Sequence, residues 1–301
     1  MATRSKGPSA GFGWLNRGIR MGFRHPKPLF GGAALVALVA LIPSFITLPL
    51  QFRALHSGTP LPPTFFGWVM AMSALFGLLI LPLYAGYLQL ADAATRGLPA
   101  RAGDVIKLYR DSKALRVIGY GAAMMAVYFA MLTIIILATG GGIAHWYMEV
   151  LTAQANHQPP PATFPDGFWI AVLLLMLLGI LMMGFYSIGL GQVTLGNRSV
   201  FGAIGDGMTG ALKNLLPLLM LAVGFVLMGI AVAICFGIFA ILLALIGKLV
   251  GSWITFALII PLYIALLLMA FTTMFGVMYH LWRDVCSGDI VTGTAEAIAT
   301  R

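Results

Sequence analysis

The run 215–246, LLPLLMLAVGFVLMGIAVAICFGIFAILLALI, contains no Asp, Glu, Lys or Arg. At a rise of about 1.5 Å per residue, a helix of this length exceeds the roughly 30 Å of hydrocarbon in a bilayer. Five further apolar runs share this character, at approximately 30–50, 65–90, 115–138, 168–190 and 253–281. The six runs predict an all-α, polytopic membrane helix bundle whose transmembrane helices form three hairpins.

The composition agrees with this prediction. Hydrophobic residues make up 60% of the chain and charged residues 9%, with a mean hydropathy of +0.96. Soluble domains average about 25% charged residues. The longest stretch outside the runs, 1–29, is too short to bury a core of its own. We therefore expect a single integral membrane domain over 1–301, with a cytoplasmic amphipathic segment at 1–29, a six-span bundle at 30–282 and a cytoplasmic tail at 283–301.

The positive charges predict the orientation of the chain. Of its 18 Lys and Arg residues, only Arg53 and Lys248 fall in the first, third or fifth connection. Positive residues near span ends stay in the cytoplasm, so both termini are predicted to lie on the cytoplasmic side of a bacterial inner membrane. The formal charge of +9 favours anionic lipid as a partner. Nucleic acid is not expected, because the basic residues follow the orientation rule.

The N-terminal segment has the pattern of an amphipathic interfacial helix. At 100° per residue its apolar residues share one face and its basic residues another. The apolar face consists of Phe12, Leu15, Ile19 and Phe23, and the basic face of Arg17, Arg20, Arg24 and Lys27. Such a helix inserts its apolar face at the acyl boundary and presents its positive charges to phosphate headgroups.

Similar segments precede the third and fifth spans. Gly103-Asp104 and Gly205-Asp206 lie 102 residues apart, as do Arg96 and Arg198. An offset of 103 relates Gly86 and Gln89 to Gly189 and Gln192. The chain is therefore interpreted as three units, each an interfacial helix followed by a transmembrane hairpin. Chance identity in apolar sequence is the alternative explanation of these matches.

Two short motifs carry a family resemblance. They are Gly13-Trp14, followed by Gly18, Phe23 and Arg24-His25-Pro26, and the polar entry Lys213-Asn214 ahead of Pro217. In this organisation the chain resembles the uncharacterised six-span bacterial inner-membrane proteins of the YciC kind, and the membrane region of some glycerophosphodiester phosphodiesterases. The resemblance implies a multi-span inner-membrane protein without a known reaction, since the phosphodiesterase barrel is missing.

Known membrane chemistries find little support in the sequence. Ion-coupled transport usually needs an ionisable residue inside the membrane, and none lies near the middle of a run. Ser187 is interpreted as a packing or back-bonding serine rather than a nucleophile. Asp92 and Asp104 mimic part of a metal-binding phosphatidyltransferase motif, but the paired acidic turn is absent, and both are interpreted as part of a solvated connection that leads into the interfacial helix. We therefore expect no enzymatic activity and no cofactor.

The connection 139–167 is the sizeable external feature. His145 and Glu149 are four residues apart and would share a helical face, which leaves a metal or a protein partner open there. The triproline 159–161 predicts a stiff extended stretch. A further open question is the helix face of Ala122, Ala126 and Ala130, which suits close packing either inside the bundle or against a partner.

These observations favour a non-enzymatic membrane or envelope factor in contact with lipids, anionic ones in particular. A transporter or channel for an uncharged or amphiphilic solute is the alternative. A second copy of the chain or another membrane protein remains an alternative partner. The candidate headgroup contacts are Arg17, Arg20, Arg24, Lys27, Lys107, Arg110 and Lys113. No catalytic, cofactor-binding or metal-ligating residue is assigned.

Overall fold

The computed structural model describes residues 3–57, 63–111, 113–139, 142–156 and 158–286. These residues are mostly helical and include no strand, so the all-α prediction is confirmed. The helices are α1 (Ala10–Arg24), α2 (Pro26–Ala40), α3 (Ile42–Ser57), α4 (Pro63–Thr95), a 3₁₀ helix (Ala102–Ile106), α5 (Lys107–Arg110), α6 (Ala114–Ala138), α7 (Gly142–Ala155), α8 (Phe168–Thr194), α9 (Val200–Lys213), α10 (Leu215–Val250) and α11 (Ser252–Cys286).

Six helical stretches within the described ranges are long and apolar enough to cross a membrane. They are Pro26–Leu50, Gly67–Thr95, Ala114–Ala138, Phe168–Thr194, Leu215–Val250 and Trp253–Cys286. Each contains or closely overlaps one of the predicted runs. The chain is therefore a multi-pass helical membrane protein.

The first span is divided between α2 and α3, which meet at Leu41. Pro43 has no N–H to donate to the carbonyl of Val39, so the regular helical bonding is interrupted there. Thr47 Oγ1 donates to the Pro43 carbonyl at 3.1 Å. By contrast, Pro82 and Pro261 lie inside the uninterrupted helices α4 and α11. Prolines within the spans thus have different effects on the helices.

The six spans form an inner and an outer layer. The second helices of the three hairpins, α4, α8 and α11, pack against one another. Each first helix lies outside this trio and contacts two of its members: α2 contacts α4 and α11, α6 contacts α4 and α8, and α10 contacts α8 and α11. The same pattern of contacts therefore occurs three times around the bundle.

Three shorter segments, α1, the 3₁₀ helix and α9, pack on one end of the bundle. At this end the N–H of Arg4 donates to the carbonyl of Val285 at 3.0 Å. This end is termed the basal end, and the opposite end, which carries α7, the distal end. Here α1 packs on α10 and α11, the 3₁₀ helix on α2 and α4, and α9 on α6 and α8. The 3₁₀ helix and α9 thus pack on the hairpin that precedes them in the chain. Helix α1, which precedes all three hairpins, packs on the last one.

The tight core occupies the basal half of the bundle. Its largest fully buried side chains are Trp14, Tyr87, Tyr120, Phe185, Phe275 and Tyr279. In the distal half the side chains are mostly exposed: between residues 225 and 250 of α10, only Leu243 and Gly247 are buried. Lipid is the natural solvent for this distal apolar surface.

One local feature differs from the sequence predictions. The segment before the third span is not an amphipathic helix of several turns, because only the 3₁₀ helix and the four-residue α5 form there. In the external connection, α7 precedes the prolines and contains His145 and Glu149. Helix α11 continues to Cys286.

Candidate functional site

Helix α1 has three faces, whereas the sequence pattern predicted two. Its buried face is formed by Gly11, Trp14, Leu15, Gly18, Met21 and Gly22, and it packs on α10 and α11. Within the predicted apolar face, Leu15 is buried, whereas Phe12 and Phe23 remain 43% and 62% exposed. The exposed phenylalanines border the basic face. Helix α1 is therefore docked on the bundle, with an apolar edge free to enter lipid.

Glycines permit the close approach of α1 to the bundle. A Cβ added at Gly18 would lie 2.8 Å from the backbone nitrogen of Val277 and 3.0 Å from the Thr273 carbonyl. A Cβ at Gly276, on the facing helix, would lie 2.8 Å from Gly18 Cα. A Cβ at Gly11 would likewise collide with the Pro217 carbonyl. The helices meet backbone to backbone, which no residue larger than glycine allows.

A carboxylate near the end of α11 fixes the register of α1. Trp14, fully buried, donates from Nε1 to Asp284 Oδ2 at 2.9 Å. Arg17 forms an ion pair with the same carboxylate. Hydrogen bonds to a charged acceptor are stronger than neutral ones. Asp284 therefore joins an aromatic anchor and a basic side chain of α1 to the last span.

The structure divides the seven predicted headgroup contacts into two sets. Arg17 pairs with Asp284, and Lys107 Nζ lies 3.0 Å from Asp104 Oδ1. The other five are exposed and have no acidic partner within the part of the chain that the structure describes. These five are Arg20, Arg24, Lys27, Arg110 and Lys113. They lie at the basal end, at the α1–α2 and α5–α6 junctions.

Asp104 organises the short segment beside α4. Arg101 donates its backbone N–H to Asp104 Oδ2 at 2.8 Å, and Lys107 pairs with the same carboxylate. The Arg101 hydrogen bond, followed by that of Lys107, lowers the pKa of Asp104. Tyr109 donates to the carbonyl of Leu79, and burial raises the pKa of its hydroxyl. The segment is thus tied to α4 even though its helix is short.

Asp92 joins two inner helices. Tyr279 on α11 donates its hydroxyl to Asp92 Oδ1 at 2.9 Å, and Arg96 Nε donates to the same oxygen at 2.9 Å. The sequence interpretation of Asp92 as part of a solvated connection is therefore wrong. The carboxylate lies at the end of α4, is largely buried and holds α11 in place.

Asp206 has an equivalent linking role on α9. It accepts from Gln192 Nε2 at 2.8 Å and from Arg198 Nε at 3.0 Å, while Trp282 Nε1 donates to Gln192 Oε1 at 3.3 Å. These bonds connect α8, α9 and α11. In the proposed repeat Asp104 aligns with Asp206, yet it bonds to different types of partner.

The N-terminal residues cross the junction of α9 and α10. Asn214 donates from Nδ2 to the Arg4 carbonyl at 2.9 Å and accepts from the Lys6 N–H at 2.8 Å. Lys213 Nζ donates to the Thr3 carbonyl at 3.2 Å. The polar pair Lys213-Asn214, which contributes to the family resemblance, thus holds the start of the chain against the bundle.

A cavity of about 380 Å³ lies between α4, α6 and α8, above the tight core. Its wall is apolar apart from three tyrosines. The lining consists of Gly77, Leu78, Leu81, Tyr84, Gly121, Met124, Met125, Tyr128, Met182 and Tyr186. No pattern in the sequence distinguishes these tyrosines. Tyr84 and Tyr186 are 102 residues apart, whereas an offset of 103 relates Gly86 to Gly189 in the same two helices.

The remaining sequence candidates have simple local roles. Ser187 Oγ donates to the Met183 carbonyl at 2.6 Å, which confirms its interpretation as a back-bonding serine. On α7, His145 Nε2 lies 3.1 Å from Glu149 Oε1, and both side chains are exposed. Among the described residues, no group of three or more His, Cys, Asp and Glu side chains is placed to hold a metal.

These features define a six-span helical membrane protein with a compact basal end and an apolar cavity above it. Comparison with protein-family models, curated proteins and solved structures finds no match for this chain. Its function must therefore be inferred from its own residues.

Proposed function

We propose that this chain is a non-enzymatic envelope factor that binds anionic lipid at the basal end of its bundle. One observation carries the proposal: exposed basic side chains without acidic partners among the described residues adjoin the exposed apolar edge of α1. An apolar edge beside a basic face is the arrangement of interfacial lipid-binding helices. Each such charge contributes about 1 kcal/mol near an anionic surface.

The proposal includes an orientation. The basal end faces the cytoplasm of a bacterial cell, with the membrane being the inner one, because the Lys and Arg residues cluster at this end. The resemblance to the YciC kind of proteins is part of the same proposal. It supplies the expected location but no reaction.

The test removes positive charge from Arg20 and Arg24, the basic residues of α1 that have no acidic partner among the described residues. In nanodiscs with equal amounts of phosphatidylglycerol and phosphatidylcholine, we expect wild-type protein to retain mainly phosphatidylglycerol in native mass spectrometry. The double variant Arg20→Gln, Arg24→Gln should lose this enrichment by roughly fivefold per charge removed. Arg17 is left unchanged because its loss would also disturb the docking of α1 on Asp284.

The matched control is Lys248→Gln, which removes an exposed charge at the distal end. It should retain the wild-type lipid ratio. Equal retention of both lipids by the wild type, or unchanged enrichment in the double variant, would refute binding at the basal end.

A transporter for an uncharged or amphiphilic solute is the second candidate, and the cavity between α4, α6 and α8 is the observation that favours it. Stopped-flow light scattering on proteoliposomes exposed to glycerol distinguishes the two. Glycerol entry faster than in empty liposomes would support the transporter. Equal rates would count against a glycerol pathway.

A further inference from the structure

The tyrosines of the bundle differ in how their hydroxyls are bonded. Outside the cavity, Tyr87 donates to the Leu29 carbonyl at 3.0 Å and Tyr120 to the Tyr186 carbonyl at 3.2 Å. The hydroxyls of the three tyrosines that line the cavity make no hydrogen bond to another residue in the described part of the chain. A tyrosine hydroxyl in an apolar setting normally finds an acceptor. The cavity therefore offers three hydroxyl donors whose acceptors must come from a bound ligand.

The side chains that line the cavity indicate the chemistry of the rest of the ligand. Apart from the tyrosines it presents leucine, methionine and glycine, and none of the described lining residues is charged. Methionines adapt to irregular apolar shapes. A volume of about 380 Å³ falls in the lower part of the range of small-molecule sites. The matching ligand has an apolar body and uncharged acceptor oxygens.

The cavity opens sideways. Gly77 on α4 and Tyr128 on α6 both line it and both are exposed. Below it the core is closed by buried side chains such as Leu81 and Met124. Entry is therefore between α4 and α6, from the lipid that surrounds the bundle.

We propose that the cavity between α4, α6 and α8 binds the ester region of a glycerolipid. The lipid's ester carbonyls accept hydrogen bonds from Tyr84, Tyr128 and Tyr186, and the adjoining acyl chain packs on the methionines. This inference rests on the proposed lipid-binding function. It adds a second binding site, which contacts the ester groups of the lipid, whereas the basal residues contact the headgroup. It requires no covalent change in the lipid.

The first experiment compares diacyl and dialkyl phosphatidylglycerol, which have the same headgroup but differ in the ester carbonyls. Full-length protein is equilibrated with an equal mixture, and the retained lipid is measured by native mass spectrometry. We expect the wild type to prefer the diacyl lipid by roughly tenfold, as several hydrogen bonds would give. The triple variant Tyr84→Phe, Tyr128→Phe, Tyr186→Phe should bring the ratio close to one.

The control for the loss of hydroxyls is Tyr263→Phe, at an exposed tyrosine of α11 that does not line the cavity. It should keep the wild-type preference. A second variant, Gly77→Phe, fills the cavity without a predicted collision, since a Cβ there meets nothing within 4 Å. This variant should reduce the amount of bound diacyl lipid several-fold. Its control, Gly229→Phe, adds the same bulk at an equally open position on α10.

The two proposals fail in different ways. A wild type that retains both lipids equally, or a triple variant that keeps the diacyl preference, overturns the cavity site. Headgroup selectivity measured with Arg20→Gln, Arg24→Gln is independent of that result, because both lipids of this assay carry the same headgroup. A wild type without headgroup selectivity, or unchanged selectivity in Arg20→Gln, Arg24→Gln, would refute basal binding and leave the cavity site standing.

Discussion

At the scale of single residues, Asp284 shows how one carboxylate organises the basal end. It accepts from the buried Trp14 indole and pairs with the more exposed Arg17. Partly exposed ion pairs contribute little to stability, whereas an unsatisfied buried donor costs more. The Trp14 hydrogen bond is therefore the main contribution of Asp284.

This assignment predicts the effect of Asp284→Ala. The change leaves Trp14 Nε1 without its acceptor, so the free energy of unfolding should fall by about 1–3 kcal/mol. Hydrogen exchange measured by mass spectrometry should increase mainly across α1. Asp111→Ala, at an exposed aspartate after α5, is the control and should change neither quantity. Unaltered protection of α1 in Asp284→Ala would contradict the anchoring role.

At the scale of elements, α1 shows what periodicity can and cannot predict. The pattern of Arg17, Arg20 and Arg24 indicates an exposed basic face, and Arg20 and Arg24 occupy such a face. The glycine part of the buried face escaped prediction because glycine gives no hydrophobic signal. Gly11, Gly18 and Gly22 bury backbone against backbone, and only the facing helices reveal this use.

Two glycines of α1 provide a paired prediction. Alanine favours a helix over glycine by about 1 kcal/mol, and at Gly13 an added Cβ meets nothing within 4 Å, so Gly13→Ala should stabilise the protein by up to this amount. At Gly18 the same methyl group meets the backbone of α11, and Gly18→Ala should destabilise by about 1–3 kcal/mol. Thermal unfolding in detergent measures both. Shifts of the same sign would refute the close contact.

A second element-scale question concerned the small-residue face of α6. The sequence left open whether Ala122, Ala126 and Ala130 pack inside the bundle or against a partner. All three are exposed, so the internal packing of α6 uses its opposite face, where Val117, Tyr120 and Met124 are buried. Periodic spacing identified the face but could not indicate its direction, because every face of a transmembrane helix is apolar.

At the scale of the whole molecule, the bundle has a tight basal half and a distal half exposed to lipid. The 3₁₀ helix and α9 pack on the hairpin that precedes them in the chain, and α1 packs on the last hairpin. The sequence interpretation placed each interfacial segment at the start of the hairpin that follows it. The order along the chain is the same in both descriptions, and the packing partner is different.

The orientation of the molecule is testable by cysteine labelling. With Cys235→Ser and Cys286→Ser as background, single changes Ser9→Cys and Thr163→Cys place a thiol at exposed basal and distal positions. A membrane-impermeant maleimide applied to intact spheroplasts should label the distal thiol. It should reach the basal thiol only after the membrane is disrupted. The reverse pattern would overturn the cytoplasmic placement of the basal end.

The sequence by itself determined that this chain is an all-α, six-span membrane protein, and it indicated which residues carry exposed positive charge. Both properties follow from local composition, since an apolar run must satisfy its backbone bonds within a helix in lipid. Only the tertiary structure decided that α1 closes on α11, that Asp92 and Asp284 join helices, and that three tyrosines share one cavity. These features depend on contacts between residues up to 270 positions apart, as in the Trp14–Asp284 bond. Local periodicity carries no information about such pairs.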